Sequence, residues 1–165
     1  FSHNVMLQAL RNTDDRIKND QSVTPGFLLA ALLWPTLISR CTKNNEINIR
    51  KFFRSMDGVL REQQKLTAVP RKFNSYIKDI WVLQLKLHSR IKSQPYKTIR
   101  HPRFRAAYDF LLVREKASSD KNGLGKWWTD FQKNDDSLRG SLIARMNEKN
   151  DADSSKIFGF YNELR

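Results

Sequence analysis

Cysteine, histidine, glycine and proline are all scarce in this sequence of 165 residues, and each shortage excludes a class of structure. A single cysteine, Cys41, cannot form an internal disulfide, and with three scattered histidines it leaves no spacing typical of a zinc site. Six Gly, five Pro and the lack of alternating Val, Ile and Thr runs disfavour β-structure. The sequence therefore predicts an all-α protein, an irregular helical bundle, and fits a reducing cytoplasm.

Long apolar runs are absent as well. The longest, residues 27–38, contains Pro35 and has twelve residues, whereas a helix that crosses a bilayer needs about 20. The chain opens at Phe1 without an initiator Met and without a signal-peptide pattern. We therefore expect no membrane insertion, and we expect the chain to be a piece of a longer protein.

Apolar residues recur at helical spacings of three and four in several segments, and eighteen aromatic residues supply a core. A first amphipathic helix is predicted to break near residues 12–15, where residues that favour helix caps cluster. Thr24-Pro25 is typical of a helix start, and Pro35 predicts a kink or an end of that helix near Leu33. A further core helix is predicted over residues 49–60.

The second half of the chain predicts two more helices. One begins at Val69-Pro70 and is broken at Gln94-Pro95, and another follows His101-Pro102. After a link at Gly123 to Gly125, we expect Trp127, Trp128 and Phe131 to seal the core. Beyond residue 134 the sequence is polar and predicts a tail that is partly helical or mobile.

The net charge of +13 is concentrated in the middle of the chain. Residues 1–39 carry three basic and three acidic side chains, and residues 106–165 carry ten of each. Residues 40–65 carry seven basic and three acidic side chains, and residues 71–105 carry ten basic side chains against Asp79 alone. Because a segment of one sign repels itself, this pattern indicates a polyanionic partner, and nucleic acid is the obvious one.

The candidate binding residues are the ten basic side chains of residues 71–105. Arg100, Arg103 and Arg105 flank the positive N-terminal end of a predicted helix, a position that suits phosphate. We predict that the ten form one track for single-stranded RNA: Arg71, Lys72, Lys78, Lys86, Arg90, Lys92, Lys97, Arg100, Arg103 and Arg105.

Two other interpretations of this charge stay open. An ordinary basic surface keeps a protein in solution without binding nucleic acid, and a basic face can also dock an acidic protein partner. Binding to a membrane surface is less favoured, because an interfacial helix needs bulky apolar residues exposed to lipid, and the core needs those residues here.

No constellation of catalytic or metal-binding residues can be recognised. Asp14 and Asp15 are adjacent in a predicted loop, but no phosphate-binding glycine loop or third carboxylate accompanies them, so helix capping is favoured over Mg²⁺ binding. His88 and His101 have no Ser, Cys or acid at a telling distance. Cys41 is interpreted as a structural or surface thiol. We therefore assign no catalytic residue and no metal ligand to this chain.

Two blocks of sequence resemble a known family. The run NTDDRIKNDQSVTPGFLLAALLWP, starting at Asn12, is similar to the central region of bacterial poly(A) polymerases, class II nucleotidyltransferases related to CCA-adding enzymes. Val69-Pro70-Arg71, Asp79-Ile80-Trp81 and the run HPRFRAAYDFLLVR from His101 resemble the arginine-rich C-terminal region of that family, which Lys126-Trp127-Trp128 continues. The resemblance covers roughly residues 4–132.

The resemblance implies helical neck, body and leg parts that hold an RNA primer. It divides the chain into a neck and body part (1–68), an arginine-rich RNA-binding part (69–134) and the tail (135–165). In the family, ATP and Mg²⁺ bind in a preceding head domain, which supplies the chemistry that adds AMP to RNA 3′ ends. We therefore expect the full-length protein to be a polynucleotide adenylyltransferase, and this chain alone to be inactive and to bind no cofactor.

Two functional alternatives stay open beside this one. The chain could be the tail of a CCA-adding tRNA nucleotidyltransferase, since substrate choice cannot be read without a head domain. It could also be a free-standing basic helical module that binds RNA.

Overall fold

The fold is a bundle of α-helices joined by short links, which confirms the predicted all-α class. The computed structural model describes residues 2–20, 22–43, 46–67, 70–118 and 123–150. Two strands of two residues each pair antiparallel between the second and third helices, with Thr42 opposite Ile47. In chain order the elements are α1 (Ser2–Lys18), α2 (Pro25–Cys41), β1 (Thr42–Lys43), β2 (Glu46–Ile47), α3 (Ile49–Leu66), α4 (Phe73–Leu87), α5 (Gln94–Ile99), α6 (Phe104–Ser118), α7 (Leu124–Lys133) and α8 (Asp136–Asn150).

A first core lies where α1 to α4 meet α6. Trp34 of α2 packs edge-to-face against Phe52 of α3 and Phe110 of α6, with ring centroids 6.2 and 5.5 Å apart. Trp81 of α4 is fully buried, and its indole N–H donates to the carbonyl of Ala30 at 3.0 Å. Because a buried indole N–H needs an acceptor, this bond fixes α4 against α2.

A second core joins the end of α4 to α6, α7 and α8. Trp128 and Phe131 are fully buried, and Trp127 stacks on Phe131 with ring centroids 5.0 Å apart. The indole N–H of Trp128 donates to the carbonyl of Leu87 at 2.8 Å. The prediction that Trp127, Trp128 and Phe131 seal the core is therefore confirmed.

The first helix is continuous, so the predicted break near residues 12–15 is wrong. The Thr13 hydroxyl donates to the carbonyl of Ala9 at 2.8 Å, and the Gln8 amide donates to Asn12 Oδ1 at 2.7 Å. These polar side chains bond within the helix instead of capping its end. Asp14 and Asp15 consequently lie within α1 and not in a loop.

The second helix continues through Pro35 to Cys41, so an end near Leu33 is wrong. Trp34, Leu37 and Cys41 are all buried beyond that point. Packing of the last two turns therefore outweighs the hydrogen bond that Pro35 cannot donate.

The fourth helix ends at Leu87, several residues before the predicted break at Gln94-Pro95. The amides of His88 and Ser89 bond three residues back, to Leu85 and Lys86, which tightens the last turn. Since Trp128 occupies the Leu87 carbonyl, the chain leaves the helix there.

The start of the predicted polar tail forms the regular helix α8. Ile143 is buried in the second core, and the Arg139 guanidinium donates to the carbonyl of Phe131 at 2.8 Å. Residues 151–165 lie outside the described residues. The first core contains residues from both sides of residue 68, so the division into functional parts stays a prediction.

Candidate nucleic-acid interface

Two aromatic rings at the start of α4 pack against the first turn of α2. Gly26 of α2 permits this approach, because a Cβ atom there would lie 2.8 Å from the Tyr76 ring and 3.2 Å from the Phe73 ring. Both rings are half-buried, so one side of each packs and another faces outward. The start of α4 therefore presents aromatic surface at the edge of the first core.

Basic side chains lie over these two rings. The Arg103 guanidinium, from the turn before α6, is 4.9 Å from the centroid of the Tyr76 ring. The Lys72 ammonium is 5.3 Å from the centroid of the Phe73 ring, and Arg71 beside it is exposed. Stacking on an aromatic face holds a cation without a carboxylate. We call Arg71, Lys72, Phe73, Tyr76 and Arg103 the aromatic-backed cluster.

The Tyr76 hydroxyl in this cluster stays neutral. Burial raises the pKa of Tyr76, while hydrogen bonding by Thr24 and the positive charge of Arg103 oppose that shift, and Asp109 adds to it. A neutral ring with its face towards Arg103 suits a stacking platform.

Three of the predicted arginines, Arg100, Arg103 and Arg105, lie in or directly after the turn before α6. His101 stabilises this turn, because its Nδ1 accepts the backbone N–H of Arg103 at 3.1 Å. Arg100 and Arg103 are exposed, whereas Arg105 is bound to Asp109 one turn further on, at 3.1 Å.

Several predicted residues lie away from the aromatic-backed cluster. Lys78 is ion-paired with Asp57 of α3. Arg90 is half-buried above the Trp127 ring, 5.9 Å from its centroid, and this burial lowers the pKa of Arg90. Lys92 has a left-handed backbone, φ 51°, and its amide lies 3.4 Å from the side chain of Asn147 on α8.

Two further predicted residues, Lys86 and Lys97, lie near helix ends. Lys86 is half-buried in the last turn of α4, and Lys97 is exposed in the last turn of α5. The ten predicted residues are therefore not equivalent. Three lie at the aromatic rings, two are ion-paired with carboxylates, and the other five lie in the last turn of α4, in α5 and in the links beside α5.

Basic residues outside residues 71–105 were not among the predicted binding residues. Arg114 donates to the buried amide oxygen of Gln84 at 3.0 Å and stacks over Trp34 at 4.7 Å, so it supports the core. The five basic residues of α3 are exposed, and four of them recur on one face of the helix. Their helical spacing is the signal that identifies them: Arg50, Arg54, Arg61 and Lys65.

A metal site or a reactive thiol would require features that the described residues lack. They contain no group of three His, Cys, Asp or Glu side chains that could hold a metal ion. Cys41 is buried, and this burial raises the pKa of its thiol. Within the described ranges, no helix has the length and apolar character needed to cross a membrane.

Comparison with known proteins identifies the family. The model for the polymerase A arginine-rich C-terminus matches residues 44–157, which include α3, the aromatic-backed cluster and the turn before α6. The chain belongs to this family. The recognition from sequence blocks is confirmed.

Individual relatives agree with the family match. Poly(A) polymerase I of Escherichia coli O6:H1 is 37% identical over 134 residues, which cover 78% of this chain and 29% of that protein. The Salmonella typhi protein of the same name is 34% identical over the same shares. Poly(A) polymerase I of Haemophilus influenzae is 32% identical over 148 residues, 87% of this chain and 33% of that protein. The chain thus spans about a third of the length of these curated relatives.

Proposed function

We propose that this chain is the RNA-binding part of a poly(A) polymerase, which adds AMP from ATP to RNA 3′ ends. The family supports the enzyme class. The observation that carries RNA binding is the position of Lys72 and Arg103 over aromatic rings, within a segment that holds ten basic side chains and a single acid. Such a surface holds positive charge on aromatic supports, where phosphates can reach it.

The binding in this proposal is mainly to the RNA backbone. A guanidinium that stacks on a ring keeps its N–H edge free to donate to phosphate oxygens, as Arg103 would. Contacts with phosphate carry little sequence information, so affinity is nearly independent of sequence. Apart from Arg105, the exposed members of the ten predicted residues contribute most. Lys78 and Arg105 contribute least, because each is ion-paired with a carboxylate.

In this proposal the chemistry of AMP addition lies outside the chain. A head domain would bind ATP and Mg²⁺, and the chain described here would hold the RNA primer in the bacterial cytoplasm. The test incubates the chain with ATP, Mg²⁺ and oligo(A) and resolves the products on a denaturing gel. We expect no extension, and extension by a pure sample would disprove this division of labour.

RNA binding is tested by fluorescence anisotropy of labelled oligo(A) at a series of salt concentrations. If about five phosphates are neutralised, the slope of log affinity against log salt should be about −3.5 for a single strand. This slope corresponds to a loss of affinity of about a hundredfold between 50 and 200 mM salt. A flat salt response would contradict the proposal.

Matched variants locate the contact. The cluster variant combines Arg71→Gln, Lys72→Gln and Arg103→Gln. The control variant removes three exposed charges elsewhere: Lys116→Gln, Lys133→Gln and Arg145→Gln.

We expect the cluster variant to reduce the magnitude of the slope by about 2, and the control to change it much less. Equal slopes for the two variants would show that the aromatic-backed cluster is not the contact. Displacement of RNA by an acidic peptide at matched salt would favour a protein partner instead.

A further inference from the structure

The outward face of α3 carries a regular line of basic side chains. At 3.6 residues per turn, positions 50, 54, 61 and 65 fall within an arc of about 60°. The buried residues Phe52, Met56, Val59 and Leu60 occupy the opposite side. We call the following set the α3 line: Arg50, Arg54, Arg61 and Lys65, all of them exposed.

The acids of α3 do not cancel this charge. Asp57 lies about 20° outside this arc, on the side of Arg50, and its carboxylate is bound by Lys78 of α4. Glu62 is bound by Arg40 of α2 through two hydrogen bonds, and the Arg40 hydrogen bond lowers the pKa of Glu62. Both carboxylates of the helix are therefore bound by basic residues of neighbouring helices, Lys78 and Arg40.

The α3 line lacks the features of a protein interface. Protein interfaces are centred on aromatic and apolar anchors and are depleted of charge at the core. The arc of the line and the positions up to about 20° on either side of it hold only Arg, Lys, Asp and Gly between residues 50 and 65. This composition suits a phosphate backbone, which needs only charge and hydrogen-bond donors.

The line is also long, straight and close to the aromatic-backed cluster. It spans about 22 Å at a rise of 1.5 Å per residue. At its C-terminal end, the Gln64 side chain donates to Asn74 Oδ1 at 3.0 Å, which brings the last turns of α3 against the start of α4. An RNA strand that lies on the cluster could therefore continue along α3.

We propose that the α3 line is a second RNA-backbone surface that binds the strand beyond the nucleotides held by the aromatic-backed cluster. The inference rests on the proposed function, because both surfaces bind the same RNA. If so, the affinity of the chain for RNA depends on the length of the RNA. A short oligonucleotide contacts the cluster alone, and a longer one gains affinity from α3.

The test uses oligo(A) of about 6 and about 20 nucleotides with the complete chain. The line variant combines Arg50→Gln, Arg54→Gln, Arg61→Gln and Lys65→Gln. The matched control removes four exposed charges outside both surfaces: Lys18→Gln, Lys116→Gln, Lys133→Gln and Arg145→Gln. Gln has nearly the helix propensity of Arg and Lys, so both variants should fold, and circular dichroism and the urea midpoint verify this.

We expect the line variant to bind the short RNA like the control and to lose affinity for the long RNA. Loss of four phosphate contacts lowers the magnitude of its salt slope by about 2.8. The ratio of wild-type to variant affinity for the long RNA should therefore fall about 50-fold between 50 and 200 mM salt.

The outcomes separate this inference from the proposed function. If the long RNA depends on the cluster but not on the line, the inference is wrong and the proposed function stands. If neither surface matters, both are wrong. If poly-L-glutamate binding depends on the line while RNA binding does not, the line serves an acidic protein and the inference is overturned.

Discussion

A carboxylate of α6 holds the N-terminus of α7, and its removal should destabilise the fold by a predictable amount. Glu115 Oε1 accepts the backbone N–H of Gly125 at 2.8 Å, in the first turn of α7. Gly123 precedes this turn with a left-handed backbone, φ 68°, and no side-chain cap. Glu115 therefore does the work that a capping side chain would do for α7.

The magnitude follows from the geometry. A hydrogen bond to a charged acceptor contributes about 1.5–3 kcal/mol, and partial exposure of Glu115 places the expected value near the lower end. We expect Glu115→Ala to lower the free energy of unfolding by about 1.5 kcal/mol, and Glu115→Gln, which keeps an acceptor without charge, by about half of that.

Gly125→Ala examines the same contact from the other side. A Cβ atom at residue 125 would lie 2.3 Å from Glu115 Oε2 and 2.6 Å from Leu112 Cδ2, so the carboxylate must move away. We expect a loss of about 1–2 kcal/mol from the displaced carboxylate and the crowding. The control is Gly140→Ala in exposed α8, where a Cβ would meet nothing within 4 Å, and where Ala should stabilise by up to about 1 kcal/mol.

The assay is urea unfolding followed by circular dichroism, with the slope m compared between variants. If Gly125→Ala is as stable as Gly140→Ala, or if Glu115→Ala leaves the midpoint unchanged, the carboxylate does not hold α7. A double variant of Glu115→Ala and Gly125→Ala should cost less than the sum of the single changes, since both remove one interaction.

Two further predictions concern buried groups. Trp128→Phe removes the hydrogen bond to the Leu87 carbonyl, whereas the Trp127 N–H has no hydrogen-bond partner in the described part of the chain. In urea unfolding, Trp128→Phe should therefore lower the free energy of unfolding by about 1–3 kcal/mol more than Trp127→Phe does. Equal losses for the two variants would contradict this. Burial raises the pKa of the Cys41 thiol, so iodoacetamide should label the folded chain far more slowly than the chain in urea at pH 8. The stability that this shift contributes is complete below the unfolded thiol pKa of about 8.5 and is lost as pH rises through the higher folded value, so the unfolding midpoint should fall at alkaline pH relative to Cys41→Ala.

The helices were largely predictable because their signals are local. Spacings of three and four located the core side chains of α3 and α4, and the Pro at residues 25 and 95 lies in the first turn of a helix. The wrong predictions concern helix ends, and a helix end can depend on contacts with residues that are distant in sequence. The end of α4 depends on Trp128, which is 41 residues away from Leu87 in sequence. The tail was predicted to be partly helical, but the bounds of α8 could not be given, because no local period reveals the contacts of Ile143 and Arg139 that hold it.

The candidate interface was predictable only as a charge distribution. The segment 71–105 was identified by its single acid, but a count of charges does not show which basic residues are ion-paired or stacked. Lys78 is bound by an acid 21 residues earlier in the chain, and Arg103 stacks on a ring 27 residues earlier. Such pairs follow from the way helices cross, and a single sequence carries no direct signal for them.

The salt dependence of RNA binding therefore measures how many basic residues take part, which composition cannot tell. If all ten residues of the segment contacted phosphates, the slope would be about −7, and five contacts would give about −3.5. The ion pairs of Lys78 and Arg105 and the half-buried position of Arg90 argue for the smaller number in a short RNA. The α3 line would add its contacts only in a long RNA. A slope that steepens with RNA length, and does so less in the line variant, would thus connect the positions of the charges to the length of RNA bound.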